Sequence, residues 1–211
     1  MAHLAQTERV ALADLAATLD PHAPTLCEGW DIADLLAHII LRDSRPDLAV
    51  GLMVPALADR LARAQTQLAA TAFTALVERV RTGPPAWHPS RIGAVDEAVN
   101  LIEFFVHHED IRRANGMGPR PADPPLDRAL ATWLKRTGRL WFRRAEVGVT
   151  IAPRDAAAYD VHGDTEQGRV TIAGRVEEIM LYAYGRRSVA DVELLGDPTA
   201  VQALARSPLG L

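Results

Sequence analysis

The segment from Asn100 to Ala114, NLIEFFVHHEDIRRA, constrains the fold more than any other part of the chain. On a helix that turns about 100° per residue, residues 94–114 place their polar side chains in one narrow stripe. Large apolar side chains border this stripe on both sides, which is unusual for a solvated helix face. We therefore expect the polar stripe to be at least partly buried within the fold. The stripe comprises Asp96, Asn100, Glu103, His107 and Asp110.

Glu103 and His107 form the most informative pair within this stripe. They stand at positions i and i+4 of the helix, so their side chains point the same way. A buried carboxylate is costly unless it is paired, so the two residues either neutralise each other or share a cation. Spacing alone leaves both interpretations open and favours the ion pair, because such pairs are common on helices.

A metal site needs a third ligand from elsewhere in the chain, and His38 in DLLAHIIL is the best candidate. It lies about 60° from Leu35 and from Leu41 on its own helix, off the main apolar stripe. A packed or surface histidine is the ordinary alternative. Two imidazoles and one carboxylate suit zinc, with a fourth position open for water or substrate. Iron, nickel or manganese would accept the same ligands.

The order of the sequence patterns predicts an α+β fold in two domains. Periodic apolar residues predict four helices within residues 1–115, the third being one long helix that starts at Pro55 and stops at Gly83. NGMGPRPADPP, residues 115–125, is the clearest break, and residues 126–211 are expected to form a small α+β domain. The predicted helices are 3–19, 29–43, 55–83, 94–114, 126–145, 175–185 and 198–206, and the predicted strands are 147–153, 168–174 and 189–196.

Composition limits the possible partners and the compartment. The 211 residues carry a net charge of −4 with a pI near 6, which argues against a general nucleic-acid-binding protein and against adhesion to anionic membranes. The N-terminus lacks the uninterrupted apolar core of a signal peptide, and the longest apolar runs are far too short to span a membrane. A single cysteine, Cys27, excludes an internal disulfide framework. We therefore expect a cytoplasmic protein that binds neither nucleic acid nor membrane.

Several segments together resemble one known family. APTLCEGWDIADLLAHI and NLIEFFVHHEDIRRA resemble the DinB-like, metal-binding N-terminal domain of mycothiol-dependent maleylpyruvate isomerases. GRVEEIMLYAYGR and VELLGDPTAVQAL are similar to the small C-terminal domain of that family. The resemblance implies a DinB-like four-helix bundle that holds one divalent metal, usually zinc. Its ligands would be His38, Glu103 and His107.

The resemblance also implies a chemistry for such a metal. In this family the metal activates the thiolate of mycothiol, a small thiol, for reaction with an electrophile, because a cation lowers the pKa of a bound thiol. The expected function is a mycothiol-dependent isomerase or transferase, with a small-molecule thiol and an electrophilic substrate as partners. Two alternatives remain open. One is a non-catalytic metal-binding or regulatory module, and the other is a metal-free ion pair between Glu103 and His107.

Two residues of the polar stripe are candidates for orienting a metal-bound imidazole. Metal-bound histidines usually donate their other ring N–H to an oxygen. Asp110, one turn from His107, is the better candidate, and Asn100 is the second.

Four residues near these segments have ordinary structural explanations that we expect to apply. Arg42, one turn past His38, is expected to be an exposed helix-end arginine rather than a group that receives a substrate anion. Cys27 is expected to fill a small space in the core rather than act as a nucleophile near the site. Trp30 is expected to anchor the start of its helix, and His108 to point away and be exposed.

Overall fold

The structure, a computed structural model, describes residues 3–44, 55–84 and 93–209. The chain divides into two compact units, Met1–Gly118 and Pro119–Leu211. The first unit is helical and the second combines helices with a four-stranded sheet, which confirms the predicted α+β class. Among the described residues, no helix is both long enough and apolar enough to cross a membrane.

The described part of the first unit contains five helices. Helix α1 packs against α5 and α4, while α2 packs against α3 and α4. Apolar side chains of α5 are buried on both sides of its polar stripe, among them Ile102 and Phe104. Both borders of the polar stripe are therefore buried, which agrees with the expected partial burial of the stripe. The bounds are α1 Leu4–Ala16, α2 Ile32–Ser44, α3 Pro55–Ala69, α4 Phe73–Thr82 and α5 Gly93–Ala114.

The prediction of a single long helix from Pro55 to Gly83 is wrong. The chain leaves the helix after Ala69, and Ala72 has the extended backbone angles φ −55° and ψ 124° before α4 begins. The Thr71 hydroxyl donates a 2.7 Å hydrogen bond to the Leu68 carbonyl, which a threonine favours at a helix end. The first unit thus differs from the expected four-helix arrangement.

Helix α2 begins at Ile32, three residues after the predicted start at residue 29, because Asp31 caps it. The Asp31 carboxylate accepts a 2.9 Å hydrogen bond from the backbone N–H of Asp34, and the Asp34 carboxylate lies 3.4 Å from the backbone nitrogen of Asp31. This reciprocal arrangement satisfies amides that a helix start leaves unpaired. At the other end of α2, a buried Arg9 Nη1 lies 2.5 Å from Asp43 Oδ2 and ties α2 to α1. Both contacts fix the helix that carries His38.

The second unit is a mixed sheet with three helices. The strand order is β2-β1-β3-β4, in which β1 and β3 are parallel and the other pairs are antiparallel. The buried residues Val149, Ile151, Val170 and Ile172 alternate along the two central strands. The bounds are α6 Pro124–Trp141, β1 Gly148–Pro153, β2 Tyr159–His162, β3 Arg169–Gly174, α7 Val176–Ala183, β4 Val192–Gly196 and α8 Pro198–Arg206.

Strand β2 is the element that the sequence analysis missed. It has four residues, lies at an edge of the sheet, and buries only Val161. Such a strand has too short an apolar alternation to stand out from a loop. The three predicted strands are confirmed as β1, β3 and β4, with small differences at their ends.

Candidate metal centre

The polar stripe of α5 is buried over most of its length, as predicted. Asn100, His107 and Asp110 are buried, and the Glu103 side chain is 35% exposed. The side chain of Asp96 lies outside the described residues. Buried polar groups are costly unless they have partners. The partners of these side chains therefore indicate whether the stripe forms an ion pair or a metal site.

His38, Glu103 and His107 are brought together although they come from two helices. One ligand atom of each lies within 4.8 Å of the others. His107 Nε2 lies 3.5 Å from Glu103 Oε2, and the His38 and His107 rings meet edge to face with centroids 5.5 Å apart. The arrangement therefore places two imidazoles and one carboxylate around a common point.

The segment before α2 is held against the C-terminal end of α5 by hydrogen bonds. The backbone N–H of Leu26 donates to the Asp110 carbonyl at 3.2 Å, and the Asn115 side-chain amide donates to the Pro24 carbonyl at 3.0 Å. These bonds bring Cys27 and Trp30 beside the stripe. They also explain why residues far apart in the sequence share one site.

Trp30 contacts His38 directly, a role that the sequence analysis did not identify. The two rings have centroids 4.9 Å apart and are tilted by 42°. Trp30 also supplies a carbonyl that accepts a 2.8 Å hydrogen bond from the Thr25 hydroxyl just before α2, in keeping with its expected place at the helix start. The indole therefore restricts the orientation of the His38 ring from one side.

Asp110 holds the second ring nitrogen of His107. Asp110 Oδ2 lies 3.0 Å from His107 Nδ1, and the carboxylate is fully buried. This contact leaves Nε2 directed toward Glu103. A carboxylate in this position fixes the tautomer of a metal-bound imidazole and increases its basicity.

The charge state of His38 suits a ligand. Burial, followed by the positive charge of His107, lowers the pKa of the His38 imidazole to about 4, although Glu103 opposes the change. His38 is therefore neutral near pH 7 and keeps a lone pair for a cation.

The other two residues form a charged pair. Burial by itself would raise the pKa of the Glu103 carboxyl, but the hydrogen bond with His107 and the positive charge of Arg42 outweigh it and lower that pKa to about 2. Burial would lower the pKa of His107, yet its hydrogen bonds, above all with Asp110, raise that pKa well above the usual value. A cation bound at Nε2 would replace the proton of this imidazolium.

Arg42 is part of the site, so the expectation of an exposed helix-end arginine is wrong. Its side chain is only 20% exposed, and its Nε lies 3.7 Å from Glu103 Oε2. Its Nη1 donates a 2.5 Å hydrogen bond to Asn100 Oδ1. Asn100 therefore contacts Arg42 in the described structure, whereas Asp110 is the residue that contacts the His107 ring.

Cys27 and His108 also differ from expectation. Cys27 is half-buried, and its Sγ lies 3.2 Å from Asp110 Oδ2, so it contacts polar groups of the site instead of filling the core. His108 is buried, with Nδ1 3.3 Å from Glu8 Oε2. The reason is that α1 packs against α5 and covers the face on which His108 lies.

Comparison with known proteins identifies the fold. No family model matches the sequence, and no curated protein sequence matches it. The crystal structure of a mycothiol-dependent maleylpyruvate isomerase superposes with a TM-score of 0.55 at 16% identity, covering 90% of this chain and 90% of that chain. A histidine-to-alanine mutant of the mycothiol-dependent maleylpyruvate isomerase superposes with a TM-score of 0.53 at 15% identity, with the same coverage. The chain therefore shares the fold of the mycothiol-dependent maleylpyruvate isomerase structures.

Proposed function

We propose that the chain binds one divalent cation through His38, Glu103 and His107. The observation that carries the proposal is the convergence of these three donors, with Nε2 of His107 directed toward Glu103. The 3.5 Å between those two atoms is close to the roughly 3.3 Å that separates two nitrogen or oxygen ligands of tetrahedral zinc. Zinc fits best, and iron, nickel or manganese would accept the same donors.

The surrounding residues fit a cation at this point. Asp110 accepts from His107 Nδ1 and keeps the other nitrogen available, while a neutral His38 needs to lose no proton. Arg42 Nε lies 3.7 Å from the same Glu103 oxygen, Oε2, and Asn100 in turn accepts a hydrogen bond from Arg42. Three protein ligands leave a fourth position for water or a substrate atom, which is typical of catalytic zinc sites.

The reaction that we propose is thiol-dependent isomerisation or group transfer on a small electrophile, with mycothiol as the thiol. The shared fold with mycothiol-dependent maleylpyruvate isomerase supports this choice. When bound, the cation lowers the pKa of a thiol at the open position and so supplies a thiolate near neutral pH. The chain itself orients His107 through Asp110 and holds Glu103 through Arg42. We further propose that the protein acts in the cytoplasm.

The first experiment is elemental analysis of the protein purified without chelators or a histidine tag. We expect about one zinc, or another divalent metal, per chain in the wild type and its loss in His38→Ala and in His107→Ala. His22→Ala is the control, because His22 is exposed and pairs with Asp31 outside the centre. A wild type that neither carries nor takes up metal would contradict the proposal and leave Glu103 and His107 as a structural pair.

An activity assay distinguishes a catalytic metal site from a site that only binds metal. We expect the metal-loaded wild type to consume maleylpyruvate or chlorodinitrobenzene only when mycothiol is present, and His107→Ala to lose this activity. Stoichiometric metal without thiol-dependent turnover would favour the non-catalytic metal-binding module instead.

A further inference from the structure

His107 belongs to a second group of potential ligands on its other side. Cys27 Sγ lies 3.2 Å from Asp110 Oδ2 and 3.9 Å from His107 Nδ1, and Nδ1 lies 3.0 Å from the same carboxylate oxygen. Asp110 and His107 are buried and Cys27 is half-buried. A thiol, an imidazole and a carboxylate thus meet at one point that is shielded from much of the solvent.

These separations match those of a metal site. With zinc bonds of about 2.3 Å to sulfur and about 2.0 Å to nitrogen or oxygen, tetrahedral ligands lie about 3.3–3.6 Å apart. Each of the three measured distances comes within about 0.4 Å of that range. The adjacent Leu26 N–H bond to the Asp110 carbonyl holds the cysteine segment beside α5.

The two groups differ in the ions that they prefer. Thiolate is a soft donor that selects thiophilic ions, whereas the His38 and Glu103 side offers only nitrogen and oxygen. Neutral imidazole has one lone pair, so His107 can serve one group at a time. His107 can therefore be a ligand in either group, but not in both groups at once.

We propose that Cys27, His107 and Asp110 form an alternative site for a thiophilic divalent cation such as cadmium, and that its occupation excludes the site of His38, Glu103 and His107. On binding, the Cys27 thiol releases its proton to solvent and the sulfur donates an electron pair to the ion. The His107 imidazole also releases its Nδ1 proton to solvent, binds the ion through Nδ1 and keeps its other proton on Nε2. The inference shares His107 with the proposed function but does not require catalysis.

The test is a cadmium titration of the metal-free protein, read by the near-ultraviolet absorption of a cadmium–thiolate bond. We expect this absorption in the wild type and in His38→Ala, each saturating at about one cadmium per chain. Cys27→Ser should lack the absorption yet still bind zinc through His38, Glu103 and His107. The double variant with Cys27→Ser and His38→Ala should bind neither ion stoichiometrically. Cys27→Ala is a second variant in case the serine protein folds poorly.

Loading the protein with zinc before cadmium is added tests whether the two sites exclude each other. Cadmium added to zinc-loaded wild type should release about one zinc as the thiolate absorption grows, whereas cadmium added to zinc-loaded Cys27→Ser should give no thiolate absorption. Absence of the absorption in both wild type and His38→Ala would overturn the inference, as would wild type that holds zinc and thiolate-bound cadmium together. Zinc binding by Cys27→Ser tests the proposed site of His38, Glu103 and His107 separately. The cadmium site can therefore be wrong while the zinc site is right, and the reverse.

Discussion

At the scale of single residues, Asp110 is important for the candidate centre although it is not one of the three proposed ligands. Those ligands are His38, Glu103 and His107. Its fully buried carboxylate lies 3.0 Å from His107 Nδ1 and 3.2 Å from Cys27 Sγ. It therefore leaves Nε2 of His107 as the ring nitrogen that is available to a cation shared with His38 and Glu103. Removing its charge tests this role while almost preserving its shape.

We expect Asp110→Asn to weaken zinc binding by about 10- to 100-fold, because an amide orients the metal-bound imidazole and increases its basicity less than the carboxylate does. Competition with a chromophoric chelator measures the dissociation constant. Asp14→Asn is the matched control, since Asp14 is exposed and pairs with Arg81. Equal affinities in the wild type and Asp110→Asn would show that Asp110 does not orient the ligand.

Residue spacing predicts only part of this site. The positions of Glu103, His107 and Asp110 on one face follow from the helical repeat, and so does their burial between apolar residues. The contact of Arg42 with Asn100 joins residues 58 positions apart, and that of His108 with Glu8 spans 100 positions. Helical periodicity carries no information about which helix packs beside another, so those contacts required the structure.

At the scale of elements, Gly138 determines how closely α6 can approach the sheet. A Cβ atom at this position would lie 2.7 Å from Cγ1 of the buried Val161 on β2. Alanine in place of glycine ordinarily stabilises a helix by about 1 kcal/mol. At Gly138 the close approach of Val161 should instead make the alanine substitution destabilising.

We expect Gly138→Ala to lower the free energy of unfolding by about 1–3 kcal/mol through overpacking. Val161→Ala in the same chain should relieve the clash, so the double variant should be more stable than the sum of the two single changes implies. Urea denaturation of the four proteins measures the coupling. Strict additivity would mean that α6 and β2 are not in tight contact at this point.

The N-terminal turns of α6 and α7 bring two carboxyl groups together. Burial, then the negative charge of Glu177 and a hydrogen bond with it, raise the pKa of Asp127 to about 6, although Arg175 opposes the change. The folded state therefore holds this proton more tightly than the unfolded state, in which the pKa is near 3.8. The contribution of Asp127 to stability is largest below pH 4 and falls as the pH rises to about 6.

Asp127→Asn should remove that pH dependence. We expect the stability of the variant relative to wild type to increase by on the order of 1 kcal/mol between pH 4 and pH 7, after allowance for solvent screening. Urea denaturation of both proteins across that range gives the difference. The exposed Asp155→Asn, which also removes one carboxylate from the second unit, is the control. A difference for Asp127→Asn that does not change with pH would contradict the raised pKa of Asp127.

Most helices and strands were predicted, and the exceptions are strand β2 and the interruption between α3 and α4. The interruption between α3 and α4 lies in AATAF, which contains no glycine or proline to mark it. Alanine has a high helix propensity, so local preference alone predicts continuation there. Both α3 and α4 pack against α2, and a local sequence pattern carries no information about tertiary packing of this kind.

At the scale of the whole molecule, the candidate centre is built entirely from the first unit. His38, Glu103 and His107 lie in α2 and α5, and the surrounding residues Cys27 and Asp110 lie within residues 3–118 as well. A cation that binds only the folded site stabilises it by about 2.7 kcal/mol when its free concentration is 100 times the dissociation constant. The stabilisation should be largest in α2 and α5, the helices that supply the ligands.

We expect zinc to slow amide hydrogen exchange in residues 24–44 and 100–114, because local opening of these segments would break metal bonds. Exchange in the sheet strands of residues 148–174 should change much less. Mass spectrometry of the metal-free and zinc-loaded protein measures both regions, and His107→Ala treated with zinc is the control that should show no protection. Protection confined to the sheet, or none in α2 and α5, would place the bound zinc away from His38, Glu103 and His107.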